Sequence, residues 1–210
     1  MRTLPKAGRR RMLATIGRIR LFSFRATGAL AALLLAAALG APRCFAQATT
    51  PDEYQVKAAF LYNFPKFIDW PPGAFPDSSS PFTICLLGRD PFGRSLEDLV
   101  LNKTINGRHT AIAHAQRVGG CPVCQIIFVS SQESSHLAEI TAALRGRNVL
   151  LVGESEEFAG AGGTIQFFIQ DNRVRFVINT DAAERAGLKL SSKLLALASI
   201  VHDHPSEGKN

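Results

Sequence analysis

Acidic residues are absent from the first 48 positions, which nevertheless hold nine of the chain's 24 lysines and arginines. Residues 49–210 therefore carry 15 basic against 17 acidic side chains, and the formal net charge of +7 does not extend over them. A nucleic-acid-binding protein needs a basic face that contacts phosphates. The distribution of charge excludes that class.

The chain also lacks an apolar run long enough to cross a bilayer. The uncharged run Thr27–Ala41 has 15 residues, whereas a membrane-spanning helix needs about 20. Pro42 follows it, and Ala46-Gln47-Ala48 supplies the small residues that a signal peptidase recognises. We expect residues 1–48 to be a signal peptide that is cleaved after Ala48, and an uncleaved signal anchor is the competing interpretation.

The remaining chain has no internal repeat, no low-complexity tract and no long linker. We expect one domain over residues 49–205, followed by a polar tail over residues 206–210. After cleavage the domain would lie in the periplasm, which is an oxidising compartment. The start of translation stays open between Met1 and Met12.

Apolar periodicity predicts alternating helices and strands in the first two thirds of this domain. Helices are expected over 53–67, 92–101 and from Ser130 or Ser131 to Leu144, and strands over 82–87, 110–115, 125–129 and 148–152. Strands that alternate with helices in this way favour right-handed crossovers and a parallel sheet covered on both faces.

The last third has a different pattern. Two strand-like segments, 164–170 and 173–179, are joined by Asp171-Asn172, a pair that tolerates positive φ and predicts an antiparallel hairpin. Asp181 with Glu184 predicts a capping box for a short helix. Ser191 is expected to cap a terminal helix whose apolar face reaches Val201.

These elements together predict the α/β class. We expect a Rossmann-like, mixed but mainly parallel sheet that is flanked by helices, with a C-terminal antiparallel hairpin and a terminal helix.

The segment from Gly88 to Ser95 has the glycine spacing of a phosphate-binding loop between a strand and a helix. Such a loop holds phosphate with a lysine and successive backbone N–H groups. Here Arg94 replaces the lysine, Pro91 has no N–H, and Asp90 adds negative charge. We interpret the segment as a tight turn with Phe92 packed beneath it.

Cys121 and Cys124 have the C-x-x-C spacing of thiol oxidoreductases. Those enzymes place the first thiol at a helix N terminus, where the helix dipole favours thiolate. This pair enters a predicted strand instead, which favours a disulfide or a buried thiol. No second C-x-x-C follows and the five histidines are scattered, so no metal site is predicted.

Aromatic residues are concentrated in the first predicted helix and just after it. One explanation is that both faces of the helix are buried in the domain. The other is a partner or dimer surface, because aromatic residues are enriched in interface cores. The candidate surface consists of Tyr54, Lys57, Tyr62, Phe64, Lys66 and Trp70.

Several segments occur together in the order and spacing of a known family. They are Tyr54 to Phe67 with Trp70-Pro71, Ile84 to Gly88 with Pro91-Phe92-Gly93, Cys124 before the strand to Val129, Phe158-Ala159 before Gly162-Gly163, and Phe176 to Asn179 leading to Gly187 through Leu195. Over residues 53–202 the chain resembles the YfiR family of bacterial periplasmic proteins.

The resemblance implies a noncatalytic regulator without a cofactor. Its partner would be an inner-membrane signalling protein, of the diguanylate cyclase or sensor kinase type, and the resemblance favours a homodimer. It also implies a Rossmann-like sandwich without a recognised nucleotide site, and a release of the partner that responds to redox or envelope stress.

The family pattern also bears on the cysteines. Cys85 and Cys124 stand in or beside predicted strands that could be neighbours, and family members have cysteines at these two positions. We therefore expect a disulfide between Cys85 and Cys124, with Cys121 as a spare thiol.

Two other function classes stay open. A small-ligand or nucleotide sensor would use the carboxyl ends of the parallel strands near Gly88 and Gly153, where open α/β sheets bind ligands. A thiol oxidoreductase would depend on Cys121.

Overall fold

The computed structural model describes residues 52–203. The expected signal peptide, its cleavage site after Ala48 and the polar tail at 206–210 lie outside the described residues.

Five α-helices lie within this range. They are α1 (Glu53–Asn63), α2 (Arg94–Val100), α3 (Leu137–Ala143), α4 (Thr180–Arg185) and α5 (Ser192–Leu195). The first three confirm predicted helices, but two of them are partly 3-10 helix. Helix α1 continues as Phe64–Phe67, and Ser131–His136 precedes α3 with Ser130 as its N-cap, whose side chain accepts a hydrogen bond from the Gln132 N–H.

Ten strands account for the two sheets. They are β1 (Ile68–Asp69), β2 (Phe82–Leu87), β3 (Thr104–Ile105), β4 (Arg108–Ala115), β5 (Ile126–Val129), β6 (Leu150–Gly153), β7 (Ile165–Gln170), β8 (Arg173–Asn179), β9 (Lys189–Leu190) and β10 (Ser199–Val201). Eight form one sheet in the order β10-β8-β7-β6-β5-β2-β4-β3, and β1 pairs with β9 in a small antiparallel sheet.

The large sheet confirms the α/β class. Strands β4, β2, β5, β6 and β7 run parallel, because each crossover passes over a face of the sheet, while β8 is antiparallel to β7. The predicted hairpin is present, and Asp171 and Asn172 at its tip have φ of 50° and 57°. Positive φ at both positions matches the right-handed twist of the flanking strands.

Each face of the sheet has its own hydrophobic core. The first core lies under α1, α2 and α5, and its strand residues include Ile84, Phe128 and Val152. The second core lies under α3 and contains the alternate residues of the same strands, among them Ile127 and Leu151. Alternation of side chains along a strand puts neighbours on opposite faces, so strands buried on both faces are apolar throughout.

Two details near the C terminus differ from prediction. Asn179, not Asp181, caps α4: its side chain accepts a hydrogen bond from the Ala182 N–H. The helix capped by Ser191 ends at Leu195, and the chain continues as β10. Val201 therefore lies on an edge strand. It is held by main-chain pairing with β8 and does not belong to the apolar face of a helix.

Candidate partner-binding surface

Lys57 does not lie on a surface, which corrects the sequence interpretation. It is 3% exposed, and its ammonium lies 2.5 Å from the Glu53 carboxylate and 2.6 Å from that of Glu154. Burial disfavours the charged ammonium, but the hydrogen bonds to Glu154 and Glu53 outweigh that effect and raise the pKa of Lys57. The residue attaches α1 to the end of β6.

Glu154 is a residue that sequence reasoning missed. The sequence contains one indication of it. Lys57 lies on the same helical face as Ala58 and Leu61, and a lysine buried there needs a partner. No local spacing points to Glu154, which is 97 positions away.

Phe64 also lies inside the fold. It is 2% exposed and stacks on Phe167, with ring centroids 5.8 Å apart, and it contacts the edge of Phe176 at 5.1 Å. Of the two explanations for the aromatic cluster, burial in the domain therefore holds for Phe64.

Tyr54 is half-buried at the other end of α1. Its hydroxyl donates to Glu154 across 3.4 Å, and its ring meets Phe92 edge-on at 5.7 Å. Burial and the negative charge of Glu154 raise the pKa of this hydroxyl. Tyr54 thus belongs to the same polar cluster as Lys57.

Tyr62 and Lys66 do form an accessible surface, together with Lys103. The Lys66 and Lys103 ammonium groups lie 4.2 Å and 5.3 Å from the centroid of the Tyr62 ring, and the Tyr62 hydroxyl donates to the Thr104 carbonyl oxygen. We name Tyr62, Lys66 and Lys103 the Tyr62 corner. It presents two positive charges around one aromatic ring.

Trp70 is half-buried and its ring meets Phe82 edge-on at 5.5 Å. Its indole N–H is buried and has no hydrogen-bond partner among residues 52–203. The candidate surface is therefore divided: Lys57 and Phe64 are internal, whereas Tyr54, Tyr62, Lys66 and Trp70 retain exposure.

At the carboxyl ends of the parallel strands, where a sensor would bind its ligand, this chain's own side chains lie directly against Gly88 and Gly153. A Cβ added at Gly88 would lie 2.7 Å from the Glu133 side chain, and one added at Gly153 would overlap the Phe158 ring. Ligand sites of open α/β sheets need open space at this edge. The space directly beside these two glycines is occupied, and a smaller cavity of about 430 Å³ lies next to Leu87 at the end of β2, where Glu133 and Glu139 are among its lining residues.

The segment after Gly88 is a turn, as predicted. The Asp90 carboxylate accepts a hydrogen bond from the Phe92 N–H across 2.7 Å, so this N–H is used within the turn. Phe92 is buried and packs edge-on against Phe128, with centroids 4.8 Å apart.

The predicted disulfide partner is wrong. Cys85 is bonded to Cys121, with Cα atoms 6.1 Å apart, and Cys124 is free. The strand register explains the difference. Cys85 of β2 lies opposite Ile127 of β5, and Cys124 precedes Ile127 by three residues. Three residues of extended chain span about 10 Å, beyond the reach of a disulfide.

Cys124 has the environment of an unreactive thiol. It is buried in the second core, and this burial raises its pKa to about 11, although the positive charge of Arg147 lowers it in part. Catalytic cysteines have lowered pKa values and an accessible sulfur. Cys124 thus has neither property of a catalytic thiol, and Cys121 is bonded to Cys85.

In the part of the chain that the structure describes, no helix combines the length and apolar character needed to cross a membrane. Within the same residues, no three His, Cys, Asp or Glu side chains are grouped to hold a metal ion.

The fold is similar in outline to two solved structures. One is the ABC domain from Streptococcus pneumonia in complex with L-Trp, with 10% identity, a TM-score of 0.48, and coverage of 71% of this chain and 60% of that chain. The other is a conserved domain protein from Vibrio cholerae O1 biovar eltor str. N16961, with 13% identity, a TM-score of 0.46, and coverage of 70% and 59%. This chain thus spans about three fifths of either one, and with TM-scores below 0.5 neither likeness bears on its function.

The family comparison is more extensive. A family model described as YfiR/HmsC-like matches residues 54–199, nearly the whole of the described range and all the strands from β1 to β9. The matched range includes the buried Lys57–Glu154 pair, the Tyr62 corner and the disulfide. The chain belongs to the YfiR/HmsC-like family.

Proposed function

We propose that this protein is a noncatalytic periplasmic regulator that binds and controls an inner-membrane signalling protein of the diguanylate cyclase or sensor kinase type. The family match over residues 54–199 carries the proposal, because the YfiR-like family suggests a periplasmic regulator of diguanylate cyclase signalling.

The geometry supports this function over the two alternatives. Glu133 and Phe158 occupy the space directly beside Gly88 and Gly153, which argues against a nucleotide held by these two glycines. A thiol oxidoreductase is disfavoured because Cys121 is bonded to Cys85 and Cys124 is buried.

The Tyr62 corner is the part of the candidate surface that best suits a protein contact. Its ring is positioned by the hydrogen bond from the Tyr62 hydroxyl to Thr104, and the two exposed ammonium groups lie next to the ring. Tyrosine is enriched in interface cores, and the two positive charges select an acidic patch on the partner.

A pull-down from native membranes tests the proposal. The chain is crosslinked in cells and purified, and we expect to recover an integral inner-membrane protein that has a cytoplasmic cyclase or kinase domain. Tyr62→Ala with Lys66→Glu should abolish recovery, whereas Lys193→Glu, an exposed lysine outside the corner, should not. Recovery of no such protein, together with turnover of a thiol substrate that depends on Cys121, would overturn the proposal.

A homodimer that uses the exposed aromatic residues near α1 is part of the same proposal. A two-fold contact would leave the Tyr62 corner free for the partner, since two corners of equal charge repel. Sedimentation equilibrium at tens of micromolar protein is the measurement, and a monomer throughout that range would count against the dimer.

A further inference from the structure

The face of the sheet that carries α3 has an open groove of about 720 Å³ between α3, α4 and the loop before β7. The groove lies at the amino ends of β6 and β7, since Val149 and Thr164 directly precede those strands and both line it. It is thus at the opposite edge from Gly88 and Gly153. A volume of this size is typical of small-molecule sites, which measure about 300–1,000 Å³.

The floor and one wall of the groove are apolar and small. Leu144, Val149 and Leu151 form the floor, and the loop Gly160-Ala161-Gly162 forms a wall with little side-chain bulk. Thr164, which is 2% exposed, also lines the groove. Such a lining suits the apolar body of a ligand.

The polar lining is dominated by arginine. Arg145, Arg147 and Arg185 all line the groove, and Asp203 is the acidic side chain among its lining residues. Asp203 is already paired, because both of its carboxylate oxygens accept hydrogen bonds from the Arg185 guanidinium. The remaining charge of the lining is therefore positive.

Arg145 and Arg147 have no compensating carboxylate. Neither takes part in the ion pairs formed among residues 52–203. Arg147 is half-buried, and its positive charge lowers in part the pKa of the buried Cys124 thiol. A partly desolvated guanidinium without a partner is costly, and a bound anion would offset that cost with bidentate hydrogen bonds.

We propose that this groove is a binding site for a small organic anion, with Arg147 and Arg145 holding its carboxylate or similar group and the Leu144–Leu151 floor holding its apolar body. The site is independent of the Tyr62 corner, and its failure would leave the proposed function untouched. A regulator with such a site would respond to the ligand through α3 and α4, the two helices that border the groove.

Titration of the full chain with 4-phenylbutyrate, followed by heteronuclear NMR, tests the site. The matched probe is 4-phenylbutanamide, which has the same shape and no charge. We expect saturable shifts at Gly146 and Gly162 with the acid, at least about tenfold weaker binding of the amide, and weaker binding of the acid at high salt.

Variants separate the site from nonspecific attraction. Arg147→Gln should weaken binding of 4-phenylbutyrate about tenfold or more, with no loss of thermal stability, because it removes an unpaired charge. Arg89→Gln, an exposed arginine outside the groove, should leave binding unchanged. The proposal is overturned by equal binding of the acid and the amide, by equal affinity of Arg147→Gln and the parent, or by no saturable shift up to about 10 mM.

Discussion

The Lys57 ammonium lies 2.6 Å from a carboxylate oxygen of Glu154, the residue that follows β6. The pair joins α1 to the carboxyl end of a central strand, and Tyr54 extends it with a hydrogen bond to the same carboxylate. A lysine, two carboxylates and a tyrosine therefore occupy the edge of the sheet where other α/β proteins bind a ligand. In this chain the part of that edge at the end of β6 holds α1 in place.

Removal of one partner from the Lys57–Glu154 pair should be strongly destabilising. Lys57→Met leaves the Glu154 carboxylate buried next to Glu53, and we expect a loss of about 3–5 kcal/mol in the free energy of unfolding. Urea denaturation followed by circular dichroism is the measurement. Lys57→Met with Glu154→Gln should lose less, because no charge is then buried at position 154. Lys66→Met serves as the exposed control and should change stability by about 0.5 kcal/mol or less; an equal loss in both single variants would contradict the role of the pair.

The Cys85–Cys121 disulfide should contribute a large part of the stability. It links residues 36 positions apart, for which the chain-entropy model gives about 4 kcal/mol. The double variant Cys85→Ala with Cys121→Ala should therefore lose about that amount of free energy of unfolding. Dithiothreitol should lower the stability of the parent protein to that of the double variant and should leave the stability of the double variant unchanged. Nonreducing peptide mapping of oxidised protein should recover the Cys85–Cys121 peptide. Recovery of a Cys85–Cys124 peptide would contradict the structure.

Cys124 should react with iodoacetamide only at high pH in the folded protein. Burial raises its pKa to about 11, so at pH 8 only about one thiol in a thousand is ionised, against about one in four for a free cysteine. The rate of alkylation should rise with pH up to about 11 and should increase sharply at pH 8 in urea. Cys44→Ser in the full chain leaves Cys124 as the only free thiol. Fast alkylation of the folded protein at pH 8 would show that Cys124 is accessible and would restore the redox hypothesis.

Local sequence patterns predicted most of the fold, because strands, helix caps and turns depend largely on residues that are close together in the sequence. Continuous apolar runs gave the central strands, Ser130 marked the turn before α3, and Asp171-Asn172 marked the hairpin. The helix expected from Ser191 to Val201 was too long. Its last residues form β10, which pairs with β8, and a local pattern does not indicate a contact with a strand elsewhere in the sequence.

The candidate site was harder to predict because its contacts are distant in sequence. The disulfide depends on strand register, which places Cys85 opposite Ile127, and on the loop that brings Cys121 back over the sheet. Lys57 was assigned to the surface because its partner, Glu154, cannot be identified from spacing. The arginine-lined groove likewise assembles from α3, α4 and a glycine-containing loop that no single motif joins.

Gly153 should be intolerant of even a methyl group. Its missing side chain leaves room for the Phe158 ring, which a Cβ at this position would overlap. We expect Gly153→Ala to lose about 1–3 kcal/mol in the free energy of unfolding, as is usual when a well-packed core is overfilled. Gly119→Ala is the matched control, because no atom lies within 4 Å of its added Cβ. Adding Phe158→Leu to Gly153→Ala should cost less than the two changes cost separately, since the shorter side chain makes room for the methyl group. Equal stability of Gly153→Ala and Gly119→Ala in urea denaturation would show that the Phe158 ring does not fill the end of β6.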